Sequence, residues 1–252
     1  MSLRDAVAIP AADGVIDAEL FYPATPGLTP AVLLLTDIRG TRPVFAAMAE
    51  RLALAGYAVL LPNLYYRGGR APVVDPSLPM ADAEAKARRG ALRAALTPAA
   101  LRADAGSLLD WLAGSPHVRP GTVGVVGYCM SGGFALRIAA DFPGRIAAAA
   151  SFHGGGLASE ADDSPHRRLS DIRARLYIGH ADADASMPPE AIAWLDAALA
   201  ASGLRYRTEV YTDARHGFAV ADGQAYQVEA AERHWQELLA LFASALLPAA
   251  VA

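Results

Sequence analysis

Short apolar blocks alternate along the chain with longer stretches in which apolar residues recur every three or four positions. Ala31 to Leu35 and Tyr57 to Leu61 are brief uninterrupted apolar runs, the pattern of strands buried on both faces. Pro43 to Ala55, between them, has helical spacing and stops at Gly56, a residue suited to the end of a helix. Thr97-Pro98 supplies an N-cap and a first helical residue for a helix running to Ala113. Further strands are predicted over Thr122 to Val126, Ile146 to Ser151, Arg175 to Ile178 and Tyr206 to Tyr211. Helices are predicted over Met130 to Asp141, Pro189 to Ala201 and Gln224 to Leu246. Near the start, Ala6 to Ile9 and Ile16 to Tyr22 read as a hairpin around Asp13-Gly14. Strands that alternate with helices in this way predict an α/β fold, with a mostly parallel sheet covered by helices on both faces.

No repeat and no Pro/Ser-rich linker interrupts the pattern, so residues 1–252 are expected to form one domain. The least regular region is Tyr65 to Leu96, with Gly68-Gly69 and several prolines. It reads as an insertion, either a surface excursion or a cover over a site.

Composition narrows the function classes. Of 252 residues, 54% are hydrophobic and 19% charged, enough to fill a large core. A net charge of −4 provides no basic field for a phosphate backbone, so no nucleic-acid partner is expected. The longest apolar runs fall well short of the roughly 20 residues of a membrane span, and none is expected. The first ten residues include Arg4 and Asp5 and no long apolar run, so they do not read as a leader. A single cysteine excludes an internal disulfide and points to a reducing, cytoplasmic setting.

That cysteine lies in the sharpest local motif, Val125-Val126-Gly127-Tyr128-Cys129-Met130-Ser131-Gly132-Gly133. A buried strand runs into a tight turn that opens a helix, with small residues crowding the turn. This is the arrangement of a nucleophile elbow, in which bulky neighbours at ±2 would keep strand and helix apart. Cys129 is the candidate nucleophile, with Gly127 and Ser131 at ±2. The helix start favours a thiolate, and the Met130 amide is placed to face a developing oxyanion. An alternative register makes Ser131 the nucleophile, but it loses the glycine at −2. Among six histidines, His216 follows the last predicted strand and is the candidate base. His153 and His180 also follow strands, whereas His117, His166 and His234 are expected in solvated or capping roles. Asp182 and Asp184, on the loop after Arg175 to Ile178, are both candidate acids. The resulting chain order is nucleophile, acid, histidine. A calcium loop beginning at Asp182 fails at Met187 and Ala193, where Gly and Glu are required. No phosphate loop or dinucleotide fingerprint is present, and no metal or cofactor is expected.

In this order the motifs resemble the dienelactone hydrolase family, a cysteine branch of the α/β-hydrolases. The pieces are Thr36-Asp37-Ile38-Arg39-Gly40, Gly56 to Tyr65, Gly127-Tyr128-Cys129-Met130, Asp184 with Pro188, and His216-Gly217-Phe218. The resemblance implies one α/β-hydrolase domain with Cys129 as nucleophile, His216 as base and Asp184 as its partner. Asp184 is preferred to Asp182 because the family's acid is followed four residues later by proline. The Ile38 and Met130 amides would form the oxyanion hole. Family members carry a glutamate before that isoleucine that helps activate the thiol; here the position is Asp37, one methylene shorter. Tyr128, His153 and Phe218 join Asp37 as candidates for activating the thiol or touching substrate. Dienelactone-cleaving members also carry an arginine four residues after the histidine, where this chain has Val220. The implied reaction is hydrolysis of a small ester or lactone through a thioester. Alternatives are ester or thioester hydrolysis of acyclic substrates, or an idle fold that binds ligands.

Overall fold

Contacts divide the chain at Gly121, and a computed structural model describes residues 1–247. The first half opens with a hairpin, β1 (Ser2–Ala11) and β2 (Gly14–Pro23), paired from Ser2↔Pro23 to Ala11↔Gly14. Both strands are longer than their apolar residues suggest. Cross-strand polar pairs extend them: Arg4 meets Glu19, and the Tyr22 hydroxyl donates to Asp5 at 2.9 Å.

The next strands, β3 (Ala31–Leu35) and β4 (Ala58–Pro62), are buried at every position and pair in parallel. Helix α1 (Pro43–Leu54) links them, and β2 pairs antiparallel with β4, giving the order β1-β2-β4-β3. The irregular region contains helix α2 (Ala83–Ala94), capped by Asp82, which accepts from the Ala85 N–H at 2.8 Å. Buried charge anchors this excursion. Arg67 is held by Asp13 and Asp104, and the Tyr66 hydroxyl donates to Asp104 at 2.8 Å. Helix α3 (Pro98–Gly114) follows, with Thr97 as its N-cap.

The second half is a run of parallel pairings in the order β5-β6-β7-β8. Its strands are β5 (Val123–Tyr128), β6 (Ile146–Phe152), β7 (Arg175–Ala181) and β8 (Tyr206–Tyr211). Helix α4 (Met130–Asp141) follows β5, and α5 (Pro189–Ser202) precedes β8. Helix α6 (Val228–Leu246) packs on β5 so closely that a Cβ on Gly124 would lie 2.7 Å from the Phe242 ring. It starts four residues later than its sequence pattern suggests. Gln227 instead bonds back to the preceding loop, through its N–H to the Phe218 carbonyl and its side chain to the Asp213 carbonyl. Among the described residues no helix is long and apolar enough to cross a membrane.

Candidate active site

Because β5 to β8 are parallel, their carboxyl ends share one edge, and backbone strain collects there. Among the described residues, the non-glycine residues with positive φ are Cys129 (57°), His153 (40°), Ala183 (50°) and Asp213 (60°). Each stands within two residues after one of these four strands. Such conformations cost roughly 1–3 kcal/mol apiece and persist only where the surroundings impose them.

At Cys129 the imposed geometry is a sharp strand-to-helix turn. Its N–H donates to the Phe152 carbonyl at 3.2 Å, and its own carbonyl accepts from Gly132 and Gly155 at 3.1 and 3.3 Å. A Cβ on Gly127 would fall 1.9 Å from the Ser131 carbonyl oxygen, so only glycine fits two residues before the cysteine. Ser131 is fully buried. Its hydroxyl accepts from the Tyr128 N–H at 2.8 Å and donates to the Tyr128 carbonyl at 3.0 Å. The serine therefore staples the turn and is not presented as a nucleophile. Met130, as the first residue of α4, puts its N–H at the positive end of that helix.

The loops after β7 and β8 bring a carboxylate and an imidazole together. His216 Nδ1 lies 2.6 Å from Asp184 Oδ2, and the Cys129 side chain acts on the same imidazole. Burial works against charge on His216, but Asp184 and then the Cys129 side chain outweigh it and push its pKa up to about 10. Burial alone would raise the Asp184 carboxyl; bonds from His216 and Ser186 more than offset it and hold it below its ordinary value. Asp182 does different work: its carboxylate accepts the Asp213 N–H at 3.0 Å and shapes the loop that leads to His216.

The remaining candidates are engaged in the interior. Tyr128 is fully buried and His234 is buried beside it. His234 Nδ1 lies 3.0 Å from the Ala231 carbonyl, which can only accept, so Nε2 accepts the Tyr128 hydroxyl at 2.7 Å. Tyr128 is thus a core residue, and His234, expected in a solvated or capping role, is buried. Phe218 is likewise core, stacked on Tyr211 at 4.6 Å. His153 is buried against His216, their ring centroids 5.2 Å apart, and neither of its nitrogens has a hydrogen-bond partner among the described residues. Burial first, and then the neighbouring His216, push its pKa well down, so it is a neutral imidazole.

In the first half, Arg42 grips Asp37 with both guanidinium nitrogens, at 2.7 and 2.8 Å, and the Arg39 N–H adds a bond at 2.8 Å. Asp37 is thus a paired carboxylate. The Tyr65 hydroxyl pins the Ile38 carbonyl at 3.0 Å. Sequence reasoning missed Ser186, which bonds Asp184, and Arg42, which bonds Asp37. Ser186 had a signal in Asp184-Ala185-Ser186, a spacing that favours an aspartate-capped turn. No group of three or more His, Cys, Asp or Glu side chains suited to a metal occurs among the described residues.

The sequence profile of the dienelactone hydrolase family matches residues 16–246. A Synechocystis protein named "Putative carboxymethylenebutenolidase" is 28% identical over 243 residues, spanning 95% of this chain and 96% of its own. The Rhodococcus opacus carboxymethylenebutenolidase is 28% identical over 214 residues, 84% of this chain and 79% of that protein. The crystal structure of a "Putative Dienelactone Hydrolase" from Klebsiella pneumoniae superposes with a TM-score of 0.85 at 24% identity, covering 96% of this chain and 99% of that one. With a profile match over nearly its whole length on an α/β fold with mostly parallel strands, the chain is a hydrolase of the dienelactone hydrolase family.

Proposed function

We propose that this hydrolase cleaves a carboxylic ester or lactone through a thioester on Cys129. The observation that carries the reading is the Asp184–His216 pair, whose imidazole also feels the side chain of a cysteine held in a strained turn. His216 takes the Cys129 thiol proton as the sulfur adds to the substrate carbonyl, whose π electrons move to oxygen, where the Met130 amide stabilises the charge. The tetrahedral adduct collapses, and the departing alkoxide takes the proton held on His216. A water then gives a proton to His216 and attacks the thioester; the acid is released and His216 passes that proton to the sulfur, restoring the thiol. Asp184 keeps the imidazole in the tautomer this cycle needs. In a lactone the departing oxygen stays tethered to the acyl group. The carboxymethylenebutenolidase names of the relatives support a lactone among the substrates.

The same proposal holds that residues 1–252 act as one domain, in the cytoplasm, on a small molecule and without nucleic acid, metal or organic cofactor. It is tested by hydrolysis of small aryl esters and lactones before and after alkylation with one equivalent of iodoacetamide. Cys129 is the only thiol, so activity should vanish with the free thiol. Turnover of the esters without the lactones would favour an acyclic substrate.

A further inference from the structure

We propose that Ser186 is a positioning residue that aims the Asp184 carboxylate at His216, and that the glycine loop after β6 is its seat. The proposal rests on the triad reading above and deepens it.

Asp184 Oδ1 receives two donors from Ser186, the backbone N–H at 2.8 Å and the hydroxyl at 2.7 Å. With that oxygen engaged, Oδ2 is left for His216 Nδ1 at 2.6 Å. The Ser186 oxygen also lies 3.3 Å from the same ring nitrogen, as a second, weaker acceptor for its proton. A carboxylate bound on both oxygens cannot rotate away from the imidazole without breaking bonds to a charged group, which are the stronger kind.

Ser186 is itself held from the other side. Its carbonyl accepts the Gly156 N–H at 3.0 Å, and the neighbouring Gly155 N–H donates to the Cys129 carbonyl at 3.3 Å. One short loop therefore touches the nucleophile's backbone at one residue and the acid's loop at the next. A Cβ on Gly155 would sit 2.8 Å from the Ser186 hydroxyl oxygen, too close unless that side chain moved off Asp184. The absence of a side chain at Gly155 lets the hydroxyl keep its place. Ser186 is exposed, so changing it leaves the core intact.

The titratable groups around Asp184 are His216 on the loop after β8, His180 in β7, His153 at the end of β6 and, through His216, the Cys129 sulfur. Burial takes His180 down to about 4. It shares the acid range with Asp184, so the informative readout is the titration of His216.

The experiment compares wild type with Ser186→Ala, Ser186→Thr, Gly155→Ala and the Ser186→Ala/Gly155→Ala double variant. Nitrogen-detected NMR follows the His216 ring, and steady-state kinetics follow an aryl ester. Ser186→Ala is expected to lower the His216 midpoint by about half a pH unit or more, because a less firmly held carboxylate stabilises the imidazolium less. It should lower kcat about fivefold with KM within about twofold, while Ser186→Thr, which keeps the hydroxyl, stays near wild type. Gly155→Ala should reproduce Ser186→Ala and add little to it in the double variant. An unchanged His216 midpoint in Ser186→Ala overturns the proposal, as does a Gly155→Ala effect of equal size with and without the hydroxyl. If the wild type hydrolyses no ester, the functional reading fails, and the NMR midpoints still decide the role of Ser186.

Discussion

The two aspartates on the loop after β7 differ by two positions and by everything around them. Asp184 bonds His216, whereas Asp182 accepts a backbone N–H. Asp184→Asn is expected to lower kcat by about a hundredfold or more, because an amide no longer enforces the working tautomer. Asp182→Asn should cost less than about tenfold, since its carbonyl oxygen can still accept the Asp213 N–H. Steady-state kinetics on one aryl ester check both. Sequence alone left the two acids open; the family's proline spacing favoured Asp184, and the hydrogen bond to His216 lies on the same residue. The bidentate grip of Arg42 on Asp37 was not legible, because five residues of a loop carry no period that reveals a salt bridge. The raised pKa of His216 also has a consequence for stability. Its folded value of about 10 exceeds its ordinary 6.5, so the stabilisation is complete below about 6.5 and is lost as pH rises toward 10. Asp184 is depressed, so its contribution is present above its ordinary 3.8 and is lost as pH falls through its folded value. Thermal melting should therefore show Tm falling from pH 7 to 10 in wild type and falling less in Asp184→Asn, which lacks the anion that retains the proton.

At the scale of elements, the strand-to-helix turn between β5 and α4 is the tightest part of the site. Gly127→Ala would drive a methyl to 1.9 Å from the Ser131 carbonyl oxygen, in a turn already stapled by the Ser131 hydroxyl. We expect a loss of about 3 kcal/mol or more in urea unfolding, beyond the usual cost of one extra methyl group. A loss under about 1 kcal/mol would mean that the turn opens readily. The turn was legible because its demand for small residues is written in adjacent positions, and α4 and β8 have the bounds their apolar periodicity predicts. The ends that differ have local causes. β7 continues through His180 to Ala181 because its ladder with β8 extends there, and α6 starts late because Gln227 is tied to the His216 loop. The Tyr128–His234 bond joins residues 106 positions apart, and only folding reveals it.

For the whole molecule, the distribution of charge bears on substrate choice. Val220, where dienelactone-cleaving relatives are expected to carry an arginine, is buried and apolar. Two arginines of the irregular region that could substitute are engaged elsewhere: Arg67 with Asp13 and Asp104, and Arg88 with the Gly68 carbonyl. Valine cannot supply the bidentate contact that an arginine makes to a carboxylate. The chain should therefore prefer neutral lactones and esters to anionic ones. A neutral lactone and its carboxylated analogue, compared at low salt, should show the higher kcat/KM for the neutral compound. A tenfold advantage for the carboxylated one, about 1.4 kcal/mol of transition-state binding, would contradict this. The central claim, covalent catalysis by Cys129 within this hydrolase, is met most directly by intact-protein and peptide mass spectrometry after rapid mixing with an activated aryl ester. The account predicts one acyl group per chain, carried on the Cys129 peptide and removed by hydroxylamine, with none formed after iodoacetamide. Acylation of another residue, or turnover that persists after Cys129 is fully alkylated, would contradict it.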